Sequence, residues 1–186
     1  TTEQMNQADA VIVAIGAHNV TLPIDGADSP TVVSAWDVLA GTADINGHCA
    51  VIGGGLVGTE TAEYVIAHGC AASIIEMIDK IATGESSTVL PLIKKDFTEH
   101  EVKEYVNTKV SQIINQGKTI LATNTQTNEE ISIDCDTIIM AVGSKKNEID
   151  LAGVTVPIFY AGDCSGDQTA SIAEAIRSGY KVANEI

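Results

Sequence analysis

Val51-Ile52-Gly53-Gly54-Gly55-Leu56-Val57-Gly58 is the stretch that decides the fold. Its glycines at 53, 55 and 58 make a G-x-G-x-x-G pattern, which carries weight only where a strand precedes it and a helix follows. Both conditions hold. Ahead of it, Cys49 to Ile52 is a β-rich apolar run. Behind it, Ala62, Val65 and Ile66 recur at helical spacing, which predicts a helix from Leu56 to about His68 with Gly69 as its stop. A strand, a glycine turn and a helix in that order build a phosphate cradle. Gly53 allows the tight turn, Gly55 lets the backbone approach a pyrophosphate, and Gly58 lets helix and strand pack closely. Gly54, Leu56 and Val57 complete the turn, and the helix N-terminus offers free N–H groups and the positive end of its dipole to the phosphates of NAD.

The next strand, Ala72 to Glu76, ends on an acid 18 residues beyond Gly58, about where a carboxylate meets the adenosine ribose. A carboxylate there accepts from the 2′-OH and repels a 2′-phosphate, and no arginine stands beside it to receive one, so NADH is favoured over NADPH. The other reading of Glu76 is a solvated acid at a strand end. Glu60 also has two readings. Either the helix dipole alone stabilises an acid in the first turn, or Glu60 points toward the nicotinamide end of the site.

Two further apolar runs, Asp9 to Gly16 and Asp136 to Gly143, join Cys49 to Gly53 and Ala72 to Glu76. Continuous apolar runs of this kind suit strands covered on both faces, as in a parallel sheet. Glu85 to His100 reads as a second helix kinked at Pro91. Val102 to Val106, Val110 to Ile114, Thr119 to Ala122 and Glu130 to Ile133 read as a strand meander. Ser34 to Val38, containing Trp36, is a helix-like stretch. The expected fold is α/β: a Rossmann-like dinucleotide-binding domain with a parallel sheet and a β-meander over residues 44–145, flanked by 1–43 and 146–186.

Composition narrows the partners. The 186 residues are 45% hydrophobic and 19% charged, with a formal net charge of −15 and a pI near 4.4, enough apolar content for a sizeable core. That charge opposes binding to nucleic acid or to an anionic membrane surface. No apolar run approaches the roughly 18 residues of a membrane span, and the first residues lack a signal-peptide layout, so a cytoplasmic protein is expected. Cys49, Cys70, Cys135 and Cys164 show no C-x-x-C spacing and read as packing residues, Cys164 being the one to watch beside Gly162 and Asp163. His18, His48, His68 and His100 read as surface or structural. No catalytic residue is assigned and no metal ligand set is expected.

Gly53 to Ala62, Gly-Gly-Gly-Leu-Val-Gly-Thr-Glu-Thr-Ala, resembles the NAD motif of the pyridine nucleotide-disulfide oxidoreductase superfamily. Asp9 to Ala17 and Asp136 to Ser144, which contain Gly16 and Gly143, resemble the paired strand-end motifs that mark crossings between the FAD and NAD domains there. Ile158 to Cys164, followed by Ile172 to Ile176 and Gly179, resembles the FAD-domain motif. In it the aspartate, here Asp163 after Gly162, binds the ribityl and pyrophosphate part of the flavin.

The wording of these segments is most similar to the C-terminal half of the Old Yellow Enzyme-class NADH:flavin oxidoreductases, 2,4-dienoyl-CoA reductase and its relatives. That resemblance implies a parent in which NADH reduces FAD, and electrons pass through an iron-sulfur cluster to FMN in a barrel domain. The pattern departs from the family at two points. No second G-x-G-x-x-G opens an FAD domain, and the barrel is absent. The expectation is therefore a fragment in which residues 1–43 and 146–186 are remnants of the FAD domain, too little to retain FAD alone. Its exposed edge is open to a second copy of the chain, which would make a homodimer. A nucleotide-binding module without turnover is the alternative function.

Overall fold

The structure is a computed structural model that describes residues 1–166 and 172–186. Helix α1 (Thr2–Met5) leads to strands β1 (Val11–Val13) and β2 (Ala17–Asn19), and β3 (Val32–Ser34) runs into helix α2 (Ala35–Leu39). Strand β4 (His48–Ile52), helix α3 (Leu56–Ala67) and strand β5 (Ala71–Ile75) follow, then helix α4 (Leu90–Glu99) and strand β6 (Lys103–Tyr105). Strands β7 (Thr108–Ile114), β8 (Thr119–Asn124), β9 (Glu130–Asp134) and β10 (Thr137–Met140) come next. The chain ends with β11 (Ser144–Lys146), β12 (Ile158–Tyr160), a 3-10 turn at Gly162–Cys164 and helix α5 (Ile172–Glu185).

Two compact units result, residues 19–143 and residues 1–18 with 144–186. In the larger, five parallel strands lie in the order β3-β10-β4-β5-β6. Alternation along each strand sends neighbouring residues to opposite faces, and both faces are covered. Cys49, Val51, Ile74 and Ile139 meet α2, α3 and α4 on one side, with Val65, Ile93 and Phe97. Ala50, Ile52, Ile75, Ile138 and Met140 meet the antiparallel β7-β8-β9 sheet on the other, through Ile113 and Ile120. This is why these strands read as unbroken apolar runs. Each fully buried Val, Ile or Phe contributes about 1.5–3 kcal/mol, so the two layers hold the sheet rigid under the turn at its end.

Three details depart from the sequence reading. Pro91 does not kink a helix. It stands at the second position of α4, where its missing N–H has no intrahelical partner, and residues 85–89 form the turns before it. The first strand assigned to the meander, β6, pairs in parallel with β5 as an edge of the main sheet, because α4 is the crossover that returns the chain to that edge. The segment around Trp36 is helical as read, and β3 before it pairs with β10, so residues 32–39 pack with the larger unit.

In the smaller unit β1 pairs in parallel with β12, Val13 opposite Tyr160, and β2 pairs with β11. Val13, Ala161, Cys164 and Val182 are its buried apolar side chains among the described residues. Helix α5 exposes Ile172, Ile176 and Tyr180, four residues apart, at 82%, 68% and 73%.

Candidate functional site

The site begins where β4 ends. Gly53 leaves the strand with φ +103°, in the left-handed region, and donates its N–H to the Ile75 carbonyl at 2.9 Å. A side chain here would overlap the Ala141 carbonyl just past β10. At Gly58, in the first turn of α3, an added Cβ would overlap the Gly53 carbonyl oxygen and lie 3.3 Å from the Ala141 methyl. The helix thus sits directly on the turn, an approach that only glycine permits. Gly55 is the N-cap residue of α3 and makes no side-chain cap, and a Cβ on it would meet nothing within 4 Å. The first N–H groups of α3 have no intrahelical partners, and the N-cap residue supplies no side chain to satisfy them.

Glu76 closes this cradle from β5. Its Oε2 accepts from the Gly54 N–H at 2.6 Å and its Oε1 from the Ile78 N–H at 3.0 Å. The following loop folds back along the turn. The Ala82 N–H reaches the Gly54 carbonyl at 2.7 Å, Thr83 bridges to Gly55, and the buried Ile81 packs below. Leu56 and Val57 stand exposed at the helix start. Glu60 is exposed one turn on, and with burial and the charge of Asp96 it helps to hold the Glu63 carboxyl above the ordinary carboxylate range.

Gly53, Gly54, Gly55, Leu56, Val57, Gly58 and Glu76 therefore stand together, with Glu60 just beyond. Gly143 is the last residue of the larger unit, its carbonyl accepting from the Val20 N–H at 2.9 Å. Gly16, Gly162 and Asp163 lie in the smaller unit, at the C-terminal ends of the paired strands β1 and β12. There the Gly16 carbonyl accepts from the Asn147 N–H at 3.0 Å, and the Gly162 N–H donates to the Ser178 hydroxyl at 2.8 Å. A cavity of about 410 Å³ in the same unit is lined by Lys146, Asn147, Ile149, Tyr160 and Cys164 among others.

Sequence reasoning missed Ala141, whose carbonyl and methyl set the clearance at Gly53 and Gly58. The small residue before Val142-Gly143 was its only signal. It also missed the Ile81 to Thr83 loop, which has no motif. The residues present fit a dinucleotide. An uncapped helix N-terminus suits a pyrophosphate, a glycine with free space suits its close approach, and a carboxylate at the next strand end suits ribose hydroxyls.

A family model described as pyridine nucleotide-disulphide oxidoreductase matches residues 1–179. The chain belongs to this family. Members bind FAD and NAD(P) on Rossmann-like folds, the fold class found here. The chain is similar to the bilirubin reductase of Mediterraneibacter gnavus, 40% identical over 179 residues that make up 95% of this chain and 27% of that protein. It is also similar to the NADH oxidase of Thermoanaerobacter brockii, 31% identical over 188 residues, 96% of this chain and 28% of the other. It thus spans little more than a quarter of the length of these relatives. The solved 2-naphthoyl-CoA reductase in complex with 2-naphthoyl-CoA shares the fold, with a TM-score of 0.86 over 100% of this chain and 28% of that one at 23% identity. Among the described residues, no helix is long and apolar enough to cross a membrane, and no group of three His, Cys, Asp or Glu is placed to hold a metal ion.

Proposed function

We propose that this chain is the NAD(H)-binding part of a flavin-dependent NADH oxidoreductase in which NADH passes a hydride to FAD. The observation that carries this is the uncapped N-terminus of α3 beside Gly55, closed on its far side by Glu76. The pyrophosphate lies against the N–H groups at the start of α3, and the Glu76 carboxylate accepts from the ribose hydroxyls and repels a 2′-phosphate. NADH is therefore preferred to NADPH. Leu56 and Val57 give the nucleotide an apolar wall at the helix start, and Glu60 lies toward the nicotinamide end.

FAD, when bound, supplies the hydride acceptor. Gly16, Gly162 and Asp163, at the ends of β1 and β12, belong to its site, and the smaller unit, residues 1–18 and 144–186, forms part of that domain. Support for an incomplete domain comes from the two-stranded β1-β12 sheet, which is too small for a stable core, and from the apolar face of α5 left in solvent. FMN and an iron-sulfur cluster belong in this reading to other parts of the parent. In the isolated chain the open faces of the smaller unit favour pairing with a second copy.

Calorimetric titration of the purified chain with NADH and NADPH, with an absorption spectrum of the same sample, tests the reading. NADH binding without a flavin band is the expected result. A preference for NADPH removes the role given to Glu76, binding of neither nucleotide removes the proposal, and a flavin band shows that the chain holds FAD by itself.

A further inference from the structure

The loop between α2 and β4 carries the one asparagine in the sequence that a glycine follows, Asn46-Gly47. Both residues are exposed and lie outside any helix or strand. Among the described residues the Asn46 side chain makes no hydrogen bond, whereas the other asparagines except Asn128 engage theirs, as Asn124 and Asn147 do. No described group accepts from the Gly47 N–H either. The backbone of Asn46 is held by weak contacts. Its N–H donates to the Thr137 hydroxyl at 3.4 Å, and its carbonyl accepts from that hydroxyl at 3.3 Å and from the Cys49 thiol at 3.7 Å. Glycine is required at 47, because its φ of +58° lies in the left-handed region and a Cβ there would overlap the Asp136 carboxylate. The residue that leaves the Asn46 amide open to attack is thus the one on which the turn depends.

We propose that Asn46 is a site of spontaneous deamidation, which converts this turn to a mixture of aspartate and isoaspartate. The reacting atoms belong to adjacent residues, so the chain itself brings them within reach. The Gly47 nitrogen bonds to the side-chain carbonyl carbon of Asn46, the bond from that carbon to the amide nitrogen breaks, and the Gly47 proton ends on the departing ammonia. Water then opens the cyclic imide. Addition at the side-chain carbonyl restores the main chain and leaves aspartate, and addition at the main-chain carbonyl routes the backbone through the side chain as isoaspartate. One water enters and one ammonia leaves, with no change of oxidation state. The isoaspartate product adds a methylene to the backbone just before β4, the strand that delivers the glycine turn. Asn128 is the internal comparison. It is also exposed and unbonded among the described residues, but the side chain of Glu129 shields the nitrogen that would attack.

The test incubates the whole chain in neutral buffer, folded and in urea, and maps peptides by mass spectrometry with electron-transfer fragmentation to separate aspartate from isoaspartate. In the folded chain Asn46 is expected to convert at least about tenfold faster than Asn128, a barrier lower by some 1.4 kcal/mol, with both products present. Asn46→Gln is expected to abolish the conversion of that peptide. An Asn46 amide that persists in the folded chain while it is lost in urea overturns the proposal, as does conversion of Asn128 at the same rate or a mass shift of the peptide that survives in Asn46→Gln.

Discussion

The Glu76 carboxylate and the Gly54 amide are joined by a 2.6 Å hydrogen bond, so the acid at the end of β5 braces the glycine turn at the end of β4. Its other oxygen holds the Ile78 N–H, and each oxygen keeps a lone pair for a ribose hydroxyl. Glu76→Gln turns an amide NH2 toward one of those two backbone donors and removes the charge. The lost charge-assisted bond amounts to about 1.5–3 kcal/mol, so NADH affinity is expected to fall roughly tenfold to a hundredfold. NADPH affinity should fall less, since the repulsion of its 2′-phosphate is relieved. Calorimetry with both nucleotides reads the two changes, and an equal loss for both would show that Glu76 shapes the turn without selecting the cofactor.

Gly58 and Gly55 separate stability from binding. Gly58→Ala drives a methyl into the Gly53 carbonyl, and lifting α3 off the turn is expected to cost about 1–3 kcal/mol in denaturant unfolding. Gly55→Ala meets no protein atom within 4 Å and has an ordinary φ of −69°, so its stability cost is expected to stay below about 1 kcal/mol. Its methyl occupies the space read as the pyrophosphate approach, so NADH binding should fall while the fold persists. Unchanged NADH affinity in Gly55→Ala would place the phosphates elsewhere.

Acid should loosen the larger unit through Asp136. The His48 N–H donates to its Oδ2 at 3.0 Å, and this bond, with Lys118 adding its charge, holds the carboxyl below the ordinary carboxylate range. A depressed folded pKa means that stability is present above the unfolded value and lost as pH falls through the folded one, here below about 4. Glu63 works in the opposite sense, since its raised carboxyl favours the protonated form in the folded state and stability declines as it ionises. Thermal midpoints measured across this acid range should drop more steeply for the natural chain than for Asp136→Asn. Parallel curves would mean that the bond from His48 survives protonation.

The parts of this fold that sequence displays are those in which one residue pattern has one physical cause. Cys49 to Ile52 and Ile138 to Met140 are apolar throughout because each strand is covered by helices on one face and by the meander on the other. Gly53 to Gly58 is legible because the backbone tolerates nothing larger at 53 and 58. Strand β6 reads as the first strand of the meander rather than as an edge of the main sheet, since Lys103-Glu104-Tyr105 is mostly exposed and its parallel pairing depends on where α4 returns the chain. Pro91 carried the right chemistry at a misjudged position, because the helix start at Val89 has no capping side chain to announce it. The bonds of Glu76 to Gly54 and Ile78 are tertiary facts that spacing along the chain does not encode.

The uneven core sets the last expectation. Among the described residues, both apolar core clusters consist of residues from the larger unit, with Val51, Ile74, Ile138 and Ile139 fully removed from solvent, while the smaller unit buries only Val13, Ala161, Cys164 and Val182. Opening free energy follows buried apolar contact, so the smaller unit should open at far lower cost. In native-state hydrogen exchange the amides of β4, β5 and β10 are expected to be the slowest, and those of β1, β12 and α5 to exchange at least about tenfold faster, a gap of some 1.4 kcal/mol or more. NADH should slow exchange at Gly55 to Val57 and leave α5 unchanged. If β1, β12 and α5 were protected as strongly as β4, a second copy of the chain would be covering them, and the protection would then fade on dilution.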